Sequence, residues 1–122
     1  MSYSKGKDMT IKGIGIDIME IKRFLALKKN RNGRFLTNNF SEAELDYCFS
    51  FRDPAVHLAG TFAAKEAVFK SLGNSGSLAS VIEIRRDSKG KPSVWIKNRR
   101  QKSIFISISH TAQTAAAVAV KQ

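Results

Sequence analysis

The stretch from Asp53 to Gly73 constrains this chain most. Asp53 followed by Pro54 reads as a helix start: the aspartate accepts a hydrogen bond from an orphan backbone N–H, and proline's missing donor costs nothing at the first helical position. Val56, Leu58, Ala59, Phe62, Ala63, Val68, Phe69 and Leu72 then form an apolar stripe at helical spacing, and Gly73 tolerates the left-handed conformation that ends helices. A helix this apolar needs a covering surface, which the other segments must build.

Ile11 to Ile18 reads as a first strand, with Ile at 14, 16 and 18 and glycines at 13 and 15 where the backbone must come close to something. From Glu20, Ile21, Phe24, Leu25 and Leu27 mark a short amphipathic helix that ends in the polar run Lys28 to Gly33. Ser41-Glu42-Ala43-Glu44 is a capping-box pattern opening a second helix through Leu45, Cys48 and Phe49 to near Phe51. Beyond the Gly/Ser-rich loop at 74–77 the period changes to two. Val81 to Ile84 and Val94 to Ile96 flank the turn Asp87-Ser88-Lys89-Gly90 as one hairpin, and Ser103 to His110 with Thr114 to Val120 form another. The expected fold class is α+β, a mostly antiparallel sheet packed on a long helix. At 122 residues the chain suits one domain over 11–122 behind a flexible polar leader at 1–10.

The 21 Lys and Arg against 10 Asp and Glu give a formal charge of +11, which attracts polyanions: nucleic acid, acidic lipid, an acidic protein or a phosphorylated small molecule. The bases concentrate in two segments. Lys22, Arg23, Lys28, Lys29, Arg31 and Arg34 face the single acid Glu20, and the span Arg85 to Lys102 is opposed only by Asp87. The first cluster, interleaved with Phe24, Leu25 and Phe35, suits an acidic helix or the phosphates of a nucleic acid. The lone Cys48 closes no intramolecular disulfide, and His57 and His110 lie too far apart for a zinc motif, so a reducing cytosol fits best. No apolar run approaches the roughly 20 residues that cross a bilayer.

Three places carry candidate chemistry. Glu66 and Lys70 stand one helical turn apart with Phe62 a turn earlier. They read either as a solvated ion pair or as a carboxylate on an apolar wall that needs a cation. Asp17, between Ile16 and Ile18, is costly unless paired, ligated or turned to solvent, and the Gly13-x-Gly15 backbone beside it leaves room for a close ligand. Asp17 and Glu66 together suit a hard ion such as Mg²⁺, which takes one or two protein carboxylates and completes its shell with phosphate and water. The polar run Ser107-Ile108-Ser109-His110-Thr111 either caps a strand or walls a phosphorylated ligand. Neither a P-loop nor a dinucleotide fingerprint is present.

In combination, Gly13-Ile14-Gly15-Ile16-Asp17-Ile18, Phe62-Ala63-Ala64-Lys65-Glu66-Ala67-Val68-Phe69-Lys70, Gly90-Lys91-Pro92 and Ser107-Ile108-Ser109-His110-Thr111 resemble the holo-acyl-carrier-protein synthases, the small phosphopantetheinyl transferases. The resemblance runs from about Ile11 to Val120, in order. It implies transfer of the 4'-phosphopantetheine arm of coenzyme A to a serine of an apo acyl carrier protein, with Mg²⁺, releasing adenosine 3',5'-bisphosphate. By resemblance Asp17 and Glu66 hold the metal, and Lys70 grips the pyrophosphate. Gly73, Lys91, Pro92, Ser109 and His110 line the coenzyme A site, while Arg23, Arg34 and Phe35 dock the acidic carrier. The serine proton goes to a water on the metal or to Glu66. The family also implies a homotrimer with interface active sites, in which Asp17 faces Glu66 and Lys70 of a neighbouring chain. The sequence departs from many relatives at Thr61, where they carry Arg, so one basic contact to the ligand phosphates is either missing or supplied by Arg52 or another base. The alternative readings are a small basic nucleic-acid-binding domain, favoured by charge but by no recognised motif, and a trimer that keeps the fold without turnover.

Overall fold

The computed structural model describes residues 10–73 and 79–122; all but the last residue of the expected leader at 1–10, and the loop at 74–77, lie outside the described residues. The elements run β1 (Gly13–Glu20), α1 (Arg23–Leu27), α2 (Arg34–Asn39), α3 (Glu42–Phe49), α4 (Pro54–Ser71) and a 3-10 turn (Ala79–Val81). They continue with β2 (Ile82–Arg86), β3 (Pro92–Ile96), β4 (Arg99–Arg100), β5 (Ile104–His110) and β6 (Thr114–Lys121). The strands form two antiparallel three-stranded sheets, β1-β6-β5 and β2-β3-β4. The fold is α+β around a long helix, as expected, with two sheets in place of one.

Local signals explain most element ends. Asp53 accepts from the Ala55 N–H at 3.3 Å with Pro54 in the first turn. In the capping box the Glu44 N–H donates to Ser41 Oγ at 3.1 Å, and the Ser41 N–H donates to Glu44 Oε1 at 2.8 Å. The β2–β3 turn is held by Asp87 Oδ1, which accepts from the Lys89 and Lys91 N–H groups at 2.8 and 2.9 Å, while Gly90 takes φ 84°.

Three details depart from the sequence reading. β1 starts at Gly13 instead of Ile11 and persists to Glu20, because Met19 and Glu20 stay paired with Ala115 and Thr114 of β6; the first helix therefore waits until Arg23. α2 was not foreseen: it is six residues long and buries only Leu36, too little for a helical period to show. β4 follows a turn at Lys97 and Asn98, both with positive φ, where no glycine announces the reversal.

α4 is buried on nearly every side, since β1-β6-β5 covers one face, β2 and the 3-10 turn another, and α1 and α3 a third. This explains its many small residues. Ala63, Ala64, Ala67 and Val68 pack with Ile82, Ile84, Val94 and Ala119, while Leu58, Ala59 and Phe62 pack with Phe24, Leu36, Phe40 and Leu45. Gly13 and Gly15 lie directly beneath α4, and a Cβ at either would overlap the carbonyl oxygen of Ser71 or of Ala67. The close approach announced by these glycines is therefore the α4 backbone, which takes the room the sequence reading offered to a ligand. The opposite face of β1 is open: Ile14, Ile16 and Ile18 are 67%, 62% and 66% exposed, and Phe105 on β5 adds 54%. No helix among the described residues is long and apolar enough to cross a membrane.

Candidate active site

Asp17 shares the α4-facing side of β1 with Gly13 and Gly15, so its carboxylate turns inward against the helix. Lys70 reaches back along α4 and donates to Asp17 Oδ1 at 3.3 Å and to the Ile16 carbonyl at 3.0 Å. This corrects the expectation that Asp17 meets Lys70 of a neighbouring chain: the pair forms within one chain. The other carboxylate oxygen, Asp17 Oδ2, is buried without a hydrogen-bond partner, and the side chain is only 16% exposed. An ionised oxygen left dry and unpaired is expensive, and a hard cation is the partner that fits it. Glu66, half-buried, lies one turn before Lys70 on the same face of α4. Among the described residues no three His, Cys, Asp or Glu side chains converge. Two carboxylates are enough for an ion that fills its remaining positions with phosphate and water.

The adjacent Lys65 points the other way. Its Nζ is 2.7 Å from Glu44 Oε1, with both side chains essentially inaccessible, and Glu44 Oε2 accepts the Ile84 N–H at 2.8 Å. One carboxylate thus ties α3, α4 and β2 together and fixes the rotation of the helix that carries Glu66 and Lys70. Glu83, beside it on β2, is pushed up by burial. Hydrogen bonds from Ser41 and Arg85, with the charge of Arg85, outweigh this and hold its carboxyl below the usual range.

An aromatic wall flanks the carboxylates. Phe62, one turn before Glu66, packs against Phe24, Phe35 and Phe40 at centroid distances of 6.0, 5.6 and 6.1 Å. Arg23 lies over it, 5.3 Å from the Phe35 centroid and 5.4 Å from that of Phe62. Arg23 and Phe35 therefore stand beside Glu66, with Arg34 exposed at the start of α2 next to Phe35.

The remaining candidates gather elsewhere. β1 and β5 are opposite edges of their sheet, and β5 carries Ser109 and His110. His110 is exposed, with Nδ1 3.3 Å from the Thr111 carbonyl; Ser109 turns to the outer face with Phe105. A cavity of about 300 Å³ at this edge is lined by Tyr47, His57, Arg86, Gly90, Pro92 and the stretch from Ile106 to Ile108. Lys91 is exposed in the same turn, and Gly73 ends α4 at φ 81°. The structure thus unites Asp17, Lys70, Glu66, Arg23 and Phe35 on one flank and sets Pro92 and His110 at the other.

Arg86, His57 and Tyr47 were not picked out from the sequence. The available signal was the doublet Arg85-Arg86 ending a strand, which sends one base to each face. Arg85 stacks 3.8 Å over Trp95 outside, and Arg86 turns in to lie 4.3 Å over Tyr47. Thr61 is fully buried, its hydroxyl 3.6 Å from Cys48 Sγ, and Arg86 acts electrostatically on that same thiol. Burial pushes the Cys48 thiol up to about 11, so it stays protonated and unreactive.

Comparison with known proteins matches residues 13–120 to the 4'-phosphopantetheinyl transferase superfamily. A relative named holo-[acyl-carrier-protein] synthase, from Thermodesulfovibrio yellowstonii, is 41% identical over 111 residues, covering 90% of this chain and 97% of its own. Among solved structures, a holo-(acyl-carrier-protein) synthase from Bacillus anthracis in complex with CoA (3',5'-ADP) aligns with TM-score 0.75 at 30% identity. The alignment covers 91% of this chain and 96% of that one. A Helicobacter pylori holo-[acyl-carrier-protein] synthase in complex with coenzyme A aligns at 0.74 with 30% identity, covering 89% and 99%.

Proposed function

The chain belongs to the 4'-phosphopantetheinyl transferase superfamily as a holo-[acyl-carrier-protein] synthase, and from that premise we propose that Asp17, Glu66 and Lys70 transfer the 4'-phosphopantetheine arm of coenzyme A to a serine of an apo acyl carrier protein. The reaction depends on Mg²⁺ and releases adenosine 3',5'-bisphosphate. The observation that carries this reading is the inward carboxylate of Asp17, with one oxygen on Lys70 and the other buried without a partner.

Asp17 and Glu66 are the residues that would hold the metal. When bound, Mg²⁺ supplies positive charge that offsets the pyrophosphate and the leaving phosphate. Lys70 is exposed at the end of a flexible stem and adds a second positive charge to the same flank. The chain's own part is alignment for in-line attack and electrostatic preorganisation, without a covalent enzyme intermediate. As the serine hydroxyl attacks, the proton acceptor that this chain itself supplies is Glu66.

Docking follows from neighbouring side chains. Arg23 over Phe35 and Phe62 joins a cation to an apolar platform beside the carboxylates, and Arg34 extends the charge. An acidic carrier helix fits that combination, which gives the +11 charge a physical purpose. The open Ile14, Ile16, Ile18 and Phe105 face supports assembly, since isolated soluble chains rarely expose a contiguous apolar face of this kind. We read the assembly as a homotrimer. A neighbouring chain then brings the Pro92 and His110 flank to a coenzyme A held by Asp17 and Lys70. The buried, protonated Cys48 suits a reducing cytoplasm.

Incubation with coenzyme A, Mg²⁺ and apo carrier tests the proposal by mass spectrometry. The carrier gains the mass of one phosphopantetheine; an unmodified carrier at saturating coenzyme A and Mg²⁺ rejects it.

A further inference from the structure

Most of the second basic cluster has no part in the proposed transfer. Lys97, Arg99, Arg100 and Lys102 are exposed around the turn from β3 into β4 and along β4 itself, an edge strand of the β2-β3-β4 sheet. The acids in this part of the chain are committed elsewhere. Glu83 accepts from Ser41 Oγ at 2.6 Å and from Arg85 Nε at 2.7 Å, and Asp87 Oδ1 holds the backbone N–H groups of Lys89 and Lys91. A lysine on an edge strand discourages strand-to-strand association, and soluble surfaces ordinarily mix the two signs. Four bases without an acid go beyond both.

The turn is also built to hold its shape. Lys97 and Asn98 have φ 51° and 63°, and Lys97 bears there a strain that glycine would avoid. Arg85 keeps the turn closed: its Nη2 donates to Asn98 Oδ1 at 2.6 Å, and its guanidinium lies 3.8 Å over the Trp95 ring, whose Nε1 donates to Ser93 Oγ at 3.0 Å. Arg100 is paired with Trp95 and Arg99 with Ile96, so the two arginines project to opposite faces of one braced edge.

We propose that the β3–β4 turn and β4 form a docking surface for the sugar-phosphate backbone of single-stranded nucleic acid, in which Lys97, Arg99, Arg100 and Lys102 contact phosphates without reading sequence. Charge complementarity selects a polyanion, and the character of the surface selects its class. Between Arg85 and Lys102 no large apolar side chain is exposed. Protein interfaces are built on apolar and aromatic anchors and are depleted in lysine, and lipid surfaces reward apolar side chains that enter the headgroup layer. A phosphate backbone requires neither, and the arginine fork matches its oxygens. Bases on both faces of an edge suit a flexible single strand that bends around it, whereas a duplex is stiff over many turns.

Fluorescence anisotropy of labelled single-stranded DNA of mixed sequence, titrated with the full chain at several salt concentrations, tests the surface. With four phosphate contacts on a single strand, wild type loses affinity about 50-fold between about 50 and 200 mM salt, a logarithmic slope of about −2.8. Arg99→Gln with Arg100→Gln halves that slope and leaves a loss of about sevenfold over the same range. Lys97→Gln with Lys102→Gln does the same independently, and unchanged melting shows that both variants are folded. Arg23→Ala with Arg34→Ala, in the other basic cluster, leaves DNA binding as it was. No binding by wild type, an unaltered slope in both glutamine variants, or loss in the Arg23 and Arg34 variant instead overturns the proposal. If phosphatidylserine vesicles, or polyglutamate standing in for an acidic protein, bind through Arg99 and Arg100 while DNA does not, the surface belongs to that partner and the proposal fails.

Discussion

Lys70 Nζ donates to Asp17 Oδ1 at 3.3 Å although 53 positions separate the two residues in the chain. Their meeting depends on β1 lying tightly under α4, which Gly13 and Gly15 permit. The same contact that buries the strand therefore builds the charged flank.

Replacing Lys70 by Met is expected to lower kcat/KM for transfer by about 10²–10³-fold, the range for removing one electrostatic group aimed at developing charge. Stability should change by no more than about 1 kcal/mol, because Lys70 is half-exposed and solvent screens the pair. Transfer kinetics with thermal melting check both.

Gly15→Ala is expected to be far more damaging than Gly90→Ala. The first drives a methyl group into the Ala67 carbonyl; the second meets open space and strains only a φ of 84°. Denaturant unfolding should show losses of roughly 1–3 kcal/mol or more for Gly15→Ala and about 1 kcal/mol for Gly90→Ala.

The buried Lys65–Glu44 pair should cost about 3–5 kcal/mol when broken from one side, since the survivor is left charged and unpaired. The double replacement Glu44→Gln with Lys65→Met should cost less than the sum of the two single changes. A double-mutant cycle in urea measures the difference.

Stability should fall on the acid side for two separable reasons. Glu83 has a depressed folded value, so its contribution is full above the ordinary carboxylate range and is lost as pH falls through that lower value. His57 also has a depressed folded value, but as a base: below 6.5 the unfolded chain takes the proton first, which draws the equilibrium toward unfolding. Melting curves should show Glu83→Gln flattening the slope below about pH 4 and His57→Gln flattening it just below 6.5.

Arg23→Ala should weaken carrier binding and reduce its salt dependence while sparing turnover at saturating carrier. Titrating the carrier at several ionic strengths separates the two effects.

What the sequence made legible was local. Asp53, Pro54 and Gly73 bracket α4 because caps are decided within a few residues, and the Ser41 to Glu44 box is of the same kind. The second role of Glu44, holding Lys65 and the Ile84 N–H, was not legible because its partners come from distant segments. Period two in β1 showed that its faces differ but not which is covered; the glycine and aspartate side is buried and the isoleucine side is open. Asp17, Glu66 and Lys70 stood out as charges in apolar surroundings. Arg86 did not: it is one of eight bases between Arg85 and Lys102, and the Arg85-Arg86 doublet says that one base goes to each face but not which of the two turns inward.

The most direct measurement is the affinity for coenzyme A as Mg²⁺ is titrated into wild type, Asp17→Asn and Glu66→Gln. Wild type should bind more tightly as the metal is added, and both variants should lose that gain while remaining folded. An equal Mg²⁺-dependent gain in all three proteins would contradict the assignment of these carboxylates to a shared ion.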